Sequence, residues 1–481
     1  MSFNFDSYFK QLDPHNTWLV NRLTGGLVNF TVRATRVENE PKNNTSVDEP
    51  GRFGKHQSLI LKYAPPFVAS VGEAAPFDQI RQSVEKNALA LFSEPEGPLV
   101  PILSSTSVRV PGLIYHDEES HILILEDLGT LPPLSDHLST SWLSSQSPTW
   151  PSLTGNLLLE DNHLCLSIGE KLGQFFADLH SQETLDLIES CGNDPKLIRF
   201  ENESSKEVVR EAAVLTIRRY LRQFNCVESN ELSRIVEEDF EREEGLNGER
   251  CFNVGDLWTG GILIEALPSK PSQGSITSAV AKGPKLGVID FEFSGPGRGV
   301  NGDMAQLLAH LHLNSIAWGN CAEQFKPIQT GILALVEGIC SSYSKHSRSA
   351  EAPWQLYSAD SSRSDHPQTL LQPSLPPPAS SHAACIFRSA LILHGREVVN
   401  NAVENDWSSY CTNSIKFDTG IGSQAVDRKD SDLVQKMVDT GVSCLQLAGT
   451  TIEEFVQADN WKRVCSSKES SMIARLFIVD G

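Results

Sequence analysis

Two short apolar runs, each adjoining a carboxylate, constrain this chain more than any other feature of its sequence. Gly255-Asp256-Leu257-Trp258-Thr259-Gly260-Gly261 leads into Ile262-Leu263-Ile264, and Leu286-Gly287-Val288-Ile289 leads out into Asp290-Phe291-Glu292. Short apolar runs bounded by turn residues read as buried strands. A carboxylate in the loop at the end of a buried strand is held rigidly and can face a cleft. Two carboxylates flanking one hairpin can do two jobs. One orients a hydroxyl and accepts its proton; the other holds Mg²⁺ against phosphate oxygens. Residues 266–285, rich in Ser, Gly, Pro and Lys, read as an expanded loop of that hairpin.

Phosphate chemistry also needs a fixed cation. Ser58-Leu59-Ile60-Leu61-Lys62-Tyr63 is an apolar strand stopped by Pro65-Pro66, and Lys62 lies in it. A lysine so placed points its ammonium at phosphates if the strand lines a cleft. It needs a carboxylate to fix it, and Glu85 is the natural partner. Glu85 lies on a helix expected over 79–93, whose apolar face carries Val84, Ala88, Leu91 and Phe92. Upstream, Gly25-Gly26 marks a turn whose backbone amides can approach phosphate oxygens, followed by a strand over 27–32. Residues 38–57 read as a polar loop, and His121-Ile122-Leu123-Ile124-Leu125 as a further strand.

The rest of the chain reads as mainly helical. Ile168, Leu172, Phe175, Phe176 and Leu179 form a helical stripe, and further helices are expected over 205–224, from Met304, around 332–339, over 386–405 and over 431–458. Residues 139–156 have the composition of a surface insertion. Residues 345–382, with Pro376-Pro377-Pro378, have that of a disordered one. His180 reads as a structural histidine, Trp258 as a packing residue, and Arg396-Glu397 as a surface salt bridge, with contact to a substrate as the alternative.

In order, these features resemble the aminoglycoside-phosphotransferase family: a glycine turn, a strand lysine, a helix glutamate, a strand ending in Glu126-Asp127-Leu128, then Gly-Asp-Leu-Trp-Thr-Gly and Ile-Asp-Phe-Glu. Two segments, Leu61-Lys62-Tyr63-Ala64-Pro65-Pro66 and Ile289-Asp290-Phe291-Glu292-Phe293 with Gly295-Pro296, are similar to methylthioribose kinase. The resemblance spans roughly residues 17–320 in motifs. It implies an α+β, two-lobed protein-kinase-like fold. The small β-rich lobe would cover 1–128, and the large helical lobe 129–481, with a catalytic loop at 254–264 and a metal segment at 288–293. It implies ATP and Mg²⁺ as cofactors and a small alcohol as substrate. Position by position, it makes Asp256 the catalytic aspartate, and Asp290 and Glu292 the metal-binding acids. Lys62 and Glu85 become the phosphate-binding pair. Glu126, Asp127 and Leu128 become the hinge that receives adenine, and Asp303 a structural aspartate. The chain departs from the family at Val254, where a histidine is usual, and at Gly261, where an asparagine normally supplies a second metal ligand.

Composition narrows the alternatives. With 61 acidic against 40 basic residues the net charge is −21, which argues against a nucleic-acid partner and favours neutral or cationic substrates. The ten cysteines form no CxxC pair and read as free thiols. No signal peptide or membrane-spanning run is visible, so a cytoplasmic protein is expected. Gly261 keeps a second reading open, a kinase-fold protein that binds nucleotide without transferring phosphate. A protein kinase fits less well, because Asp290-Phe291-Glu292 runs quickly into the Asp303 helix and leaves little room for a peptide platform.

Overall fold

The computed structural model describes residues 3–23, 26–37, 51–93, 97–139, 157–191, 200, 203–242, 249–265, 284–349, 371–410 and 426–478. Gly25, and most of the expected loops at 38–57, 139–156 and 266–285, lie outside these residues.

The first part of the chain builds a five-stranded antiparallel sheet. Its strands are β1 (Trp18–Arg22), β2 (Phe30–Arg36), β3 (Ser58–Tyr63), β5 (Leu113–Asp117) and β6 (Ile122–Glu126), in the order β1-β2-β3-β6-β5. The two-residue alternation of strands sorts β3 and β6 between two cores. Leu59, Leu61, Ile122 and Ile124 face a small core roofed by helix α1 (Phe5–Leu12) through Phe9. Leu123 and Leu125 face the main core with helix α2 (Ile80–Leu91). Lys62 shares the parity of Ile60, so it lies on the α2 side of β3, the side that opens to the cleft.

The expected strand over 27–32 begins only at Phe30; residues 27–29 bend before it. Helix α1 and strand β1, ahead of the glycine turn, were not legible as periodic patterns. The expected helix over 205–224 is divided into Glu203–Val209, a π-helical turn Arg210–Val214, and Ile217–Gln223.

Two small sheets carry the carboxylate loops. Strand β4 (Val108–Arg109) pairs parallel with β9 (Leu286–Val288), which pairs antiparallel with β8 (Ile262–Ile264). Ile262 stands opposite Val288, so the hairpin expected from sequence is present. Strand β7 (Arg250–Asn253) pairs with β10 (Gly295–Arg298). Around them stand the helices Asn162–Leu179, Ala305–Gly319, Lys326–Ser349, His382–Glu404 and Val426–Ala448. The architecture is thus α+β.

Of the stretch 345–382 expected to be disordered, residues 350–370 lie outside the described residues. The helix from Lys326 continues to Ser349, and Leu371 is buried beside Ile478, because an apolar residue near the proline run finds the main core. Among the described residues no helix is long and apolar enough to cross a membrane.

Candidate functional site

The sheet and the hairpin meet at Lys62. Its ammonium, on a residue only 7 % exposed, lies 2.8 Å from Glu85 Oε1 on α2, 2.9 Å from Asp290 Oδ1 and 3.8 Å from Glu292 Oε2. Burial opposes the lysine's charge, but the carboxylates of Asp290, Glu85 and Glu292 outweigh it and hold the pKa above its ordinary value. Burial raises the Glu85 carboxyl, against the pull of Lys62. It pushes Glu292 up to about 7, opposed by Lys62 and reinforced by Glu85 and Asp290.

Three acids around one ammonium leave an excess of negative charge that a divalent cation would relieve. The Asp290 side chain is 32 % exposed, so it retains oxygen surface towards the cleft. Asp290 sits at φ 66°, in the left-handed region that aspartate tolerates better than most residues. These oxygen donors suit Mg²⁺, which takes one or two carboxylates together with phosphates and water. Among the described residues there is no all-protein cage of three or more metal-binding side chains.

Asp256 is positioned from below. Gly255 has φ 89°, and a Cβ there would lie 2.1 Å from the Phe293 carbonyl oxygen, so the turn demands glycine. Asp303 accepts the amides of Val254 at 2.7 Å and Gly255 at 2.9 Å. His180 Nε2 lies 3.2 Å from the same Asp303 carboxylate, and its Nδ1 3.0 Å from the Tyr343 hydroxyl. The loop is therefore braced by a buried histidine from another helix although Val254 replaces the usual one. Gln306 donates to Asp256 Oδ1 at 2.5 Å. Burial raises the Asp256 carboxyl to about 6, while Gln306 holds it down and Glu397, Asp290 and Asp303 push it further up.

A cleft of ≈ 890 Å³ joins these groups. Gly26, Lys62, Asp256, Asp290 and Glu292 line it; Glu85 stands behind Lys62. The hinge residues are not on its wall. Glu126 ends β6 with its carboxylate 2.7 Å from Arg109, Asp127 pairs with Arg33 at 2.8 Å, and Leu128 is buried against Gly287.

The Arg396-Glu397 reading needs correction. Both residues are under a tenth exposed, Arg396 Nε donates to Glu397 Oε1 at 3.0 Å, and both line the cleft. The helix His382–Glu404 is covered on most sides, so polarity in its sequence does not mark solvent exposure.

Sequence reading missed four residues. Asn29, in the bend before β2, donates to Glu292 Oε2 and accepts from Arg81 Nε at 3.2 Å. Arg81 is fully buried and anchored on the carbonyls of Phe77, Asp78 and Pro65. Gln306 and His310 lie one turn apart on the helix Ala305–Gly319 and line the cleft. A polar stripe at i, i+4 in an otherwise apolar helix was the available signal for the last two.

No family model matches the chain. It is 26 % identical over 250 residues to the 4-hydroxytryptamine kinase of Psilocybe cyanescens, covering 51 % of this chain and 57 % of that protein. It is 24 % identical over 318 residues to the methylthioribose kinase of Geobacillus sp. (strain WCH70), covering 59 % of this chain and 75 % of that protein. The match thus spans little more than half the length of the first relative. Among solved structures, the Plasmodium vivax ethanolamine kinase Pv091845 superposes with a TM-score of 0.34 and 12 % identity, over 90 % of this chain and 81 % of that one. The relatives are named as kinases of small molecules.

Proposed function

We propose that this chain is an ATP-dependent phosphotransferase with a protein-kinase-like fold, moving the γ-phosphate to a hydroxyl of a small molecule. The observation that carries the reading is the convergence of Lys62, Asp290, Glu292 and Asp256 on one cleft, from segments far apart in sequence. The names of the relatives support the same class.

In this reading Lys62, fixed by Glu85, holds phosphate oxygens at the floor of the cleft. Asp290 and Glu292 would hold Mg²⁺, which neutralises charge on the transferring phosphoryl group. Asp256 orients the acceptor hydroxyl. As the hydroxyl oxygen bonds to the γ-phosphorus, the bond from that phosphorus to the β,γ-bridging oxygen breaks, ADP leaves, and the hydroxyl proton passes to Asp256. A carboxyl with a pKa of about 6 is mostly ionised at pH 7 and can accept it. Gly26, on the cleft wall, approaches the phosphates in this reading; Glu126, Asp127 and Leu128 would receive the adenine only through backbone groups beyond that wall.

The test is to incubate purified protein with ATP, Mg²⁺ and a metabolite library and to search for new phosphomonoesters. A product formed by the wild type and absent with Asp256→Asn supports the reading. An Asp256→Asn protein that turns over normally removes it. Gly261 favours a second reading, nucleotide binding without transfer. ATP binding indifferent to Mg²⁺, with no product from any alcohol, would decide for that one.

A further inference from the structure

His310 is among the polar residues of the cleft wall that the phosphate chemistry does not use. His310 lies one helical turn beyond Gln306, and Gln306 is committed to Asp256. Side chains at i and i+4 of a helix are about 6 Å apart, so the imidazole lies roughly that far along the wall from Gln306. Its ring stands 6.3 Å from the Trp258 ring. Burial lowers its pKa, against the opposing charge of Glu397, so the ring is neutral at pH 7 and offers one donor and one acceptor.

The buried histidines nearby are satisfied. His180 reaches Tyr343 and Asp303. His312 Nδ1 lies 3.1 Å from His394 Nε2, and His394 Nδ1 lies 3.2 Å from the Ala305 carbonyl oxygen. Neither ring nitrogen of His310 has a hydrogen-bond partner among the described residues, although the residue lines the cleft. The residue is half-buried, and a ligand that pairs with its imidazole favours acceptors carrying the complementary polar group over those that lack it.

We propose that His310 is a specificity residue for the acceptor: its imidazole hydrogen-bonds a second polar group of the substrate while Asp256 engages the reacting hydroxyl. The acceptor class is then a diol or amino alcohol whose second polar group reaches His310 along the cleft wall. Trp258 supplies an apolar surface beside the connecting carbons. This inference rests on the phosphotransfer reading.

The test compares aliphatic diols and amino alcohols of increasing chain length with the matching mono-alcohols, assaying phosphomonoester formation by wild type, His310→Phe and His310→Gln. For the best two-headed acceptor, His310→Phe is expected to raise the acceptor KM at least tenfold, with the KM for ATP unchanged and kcat within about threefold. His310→Gln, which keeps a donor and an acceptor, is expected to restore most of the affinity. Mono-alcohols should bind wild type and His310→Phe alike. An acceptor KM unchanged in His310→Phe overturns the inference and leaves phosphotransfer intact. So does a wild type that prefers mono-alcohols, a comparison that stands even if the Phe variant does not fold. A parallel fall in kcat and ATP affinity in both variants marks a packing role and also overturns it. Wild-type protein that phosphorylates nothing in the panel or in the wider library overturns the phosphotransfer reading and this inference with it.

Discussion

Gln306 donates its side-chain amide to Asp256 Oδ1 at 2.5 Å, and so ties the proposed proton acceptor to the helix that forms one wall of the cleft. That bond also holds the Asp256 pKa down against burial. Gln306→Leu is expected to lower kcat about tenfold, the cost of one hydrogen bond to a charged group. The acid limb of its pH–rate profile should move to higher pH. A profile superimposable on that of wild type would show that the bond does not control Asp256.

Asp256→Asn should abolish turnover while leaving nucleotide affinity unchanged. It should also stabilise the protein at pH 7. The folded state holds the Asp256 proton up to about pH 6, whereas the unfolded chain releases it near 3.9, so ionised Asp256 subtracts stability as pH rises between those values. Asparagine removes that loss, worth about 3 kcal/mol at pH 7 and vanishing below about pH 3. Urea unfolding at the two pH values measures the difference.

Lys62→Met leaves Glu85, Asp290 and Glu292 without their shared ammonium. Breaking a buried ion pair by removing one partner costs about 3–5 kcal/mol. The loss should be large at pH 7.5 and smaller at pH 5.5, where Glu292, pushed up to about 7 by burial, takes up a proton. Denaturation midpoints that fall equally at both pH values would contradict this account.

Asp303→Ala orphans the amides of Val254 and Gly255 and removes the partner of His180 Nε2. A destabilisation of roughly 2–4 kcal/mol is expected from the lost charge-assisted bonds. Because Asp256 follows directly, kcat should fall more than the KM for ATP rises. Thermal unfolding and steady-state kinetics separate the two effects.

Gly261→Asn tests the departure at the second metal position. A Cβ at Gly261 would meet the Ile289 carbonyl oxygen at 3.4 Å, an ordinary van der Waals contact, so the position accepts a Cβ without displacing backbone. The variant is expected to fold with a melting temperature within about 2 °C of wild type. It should reach half-maximal activity at lower Mg²⁺. A Mg²⁺ dependence unchanged by the substitution would show that position 261 lies outside the metal's reach.

The carboxylates and the lysine were legible because each sits at or in a short apolar strand, where a charge stands out. Glu85 was legible only as a consequence of Lys62, because a buried ammonium requires a carboxylate. Asn29 and Arg81 gave no such signal. The bend before β2 read as part of the strand, and an arginine at the start of a helix reads as solvent-facing until packing places three backbone carbonyls around it. Arg396 and Glu397 misled for the same reason.

Sequence alone determined the strands and helices of strong periodicity, and that charges at 62, 256 and 290 interrupt apolar patterns, since periodicity and charge placement are local properties. Only tertiary structure decided what those groups meet. Lys62 and Asp290 touch across 228 positions of chain. His310 and His312, two residues apart on one helix, differ completely: His312 pairs with His394 in the core and His310 lines the cleft. A step of two residues turns a helix by about 200°, and which side is core depends on the helices packed around it.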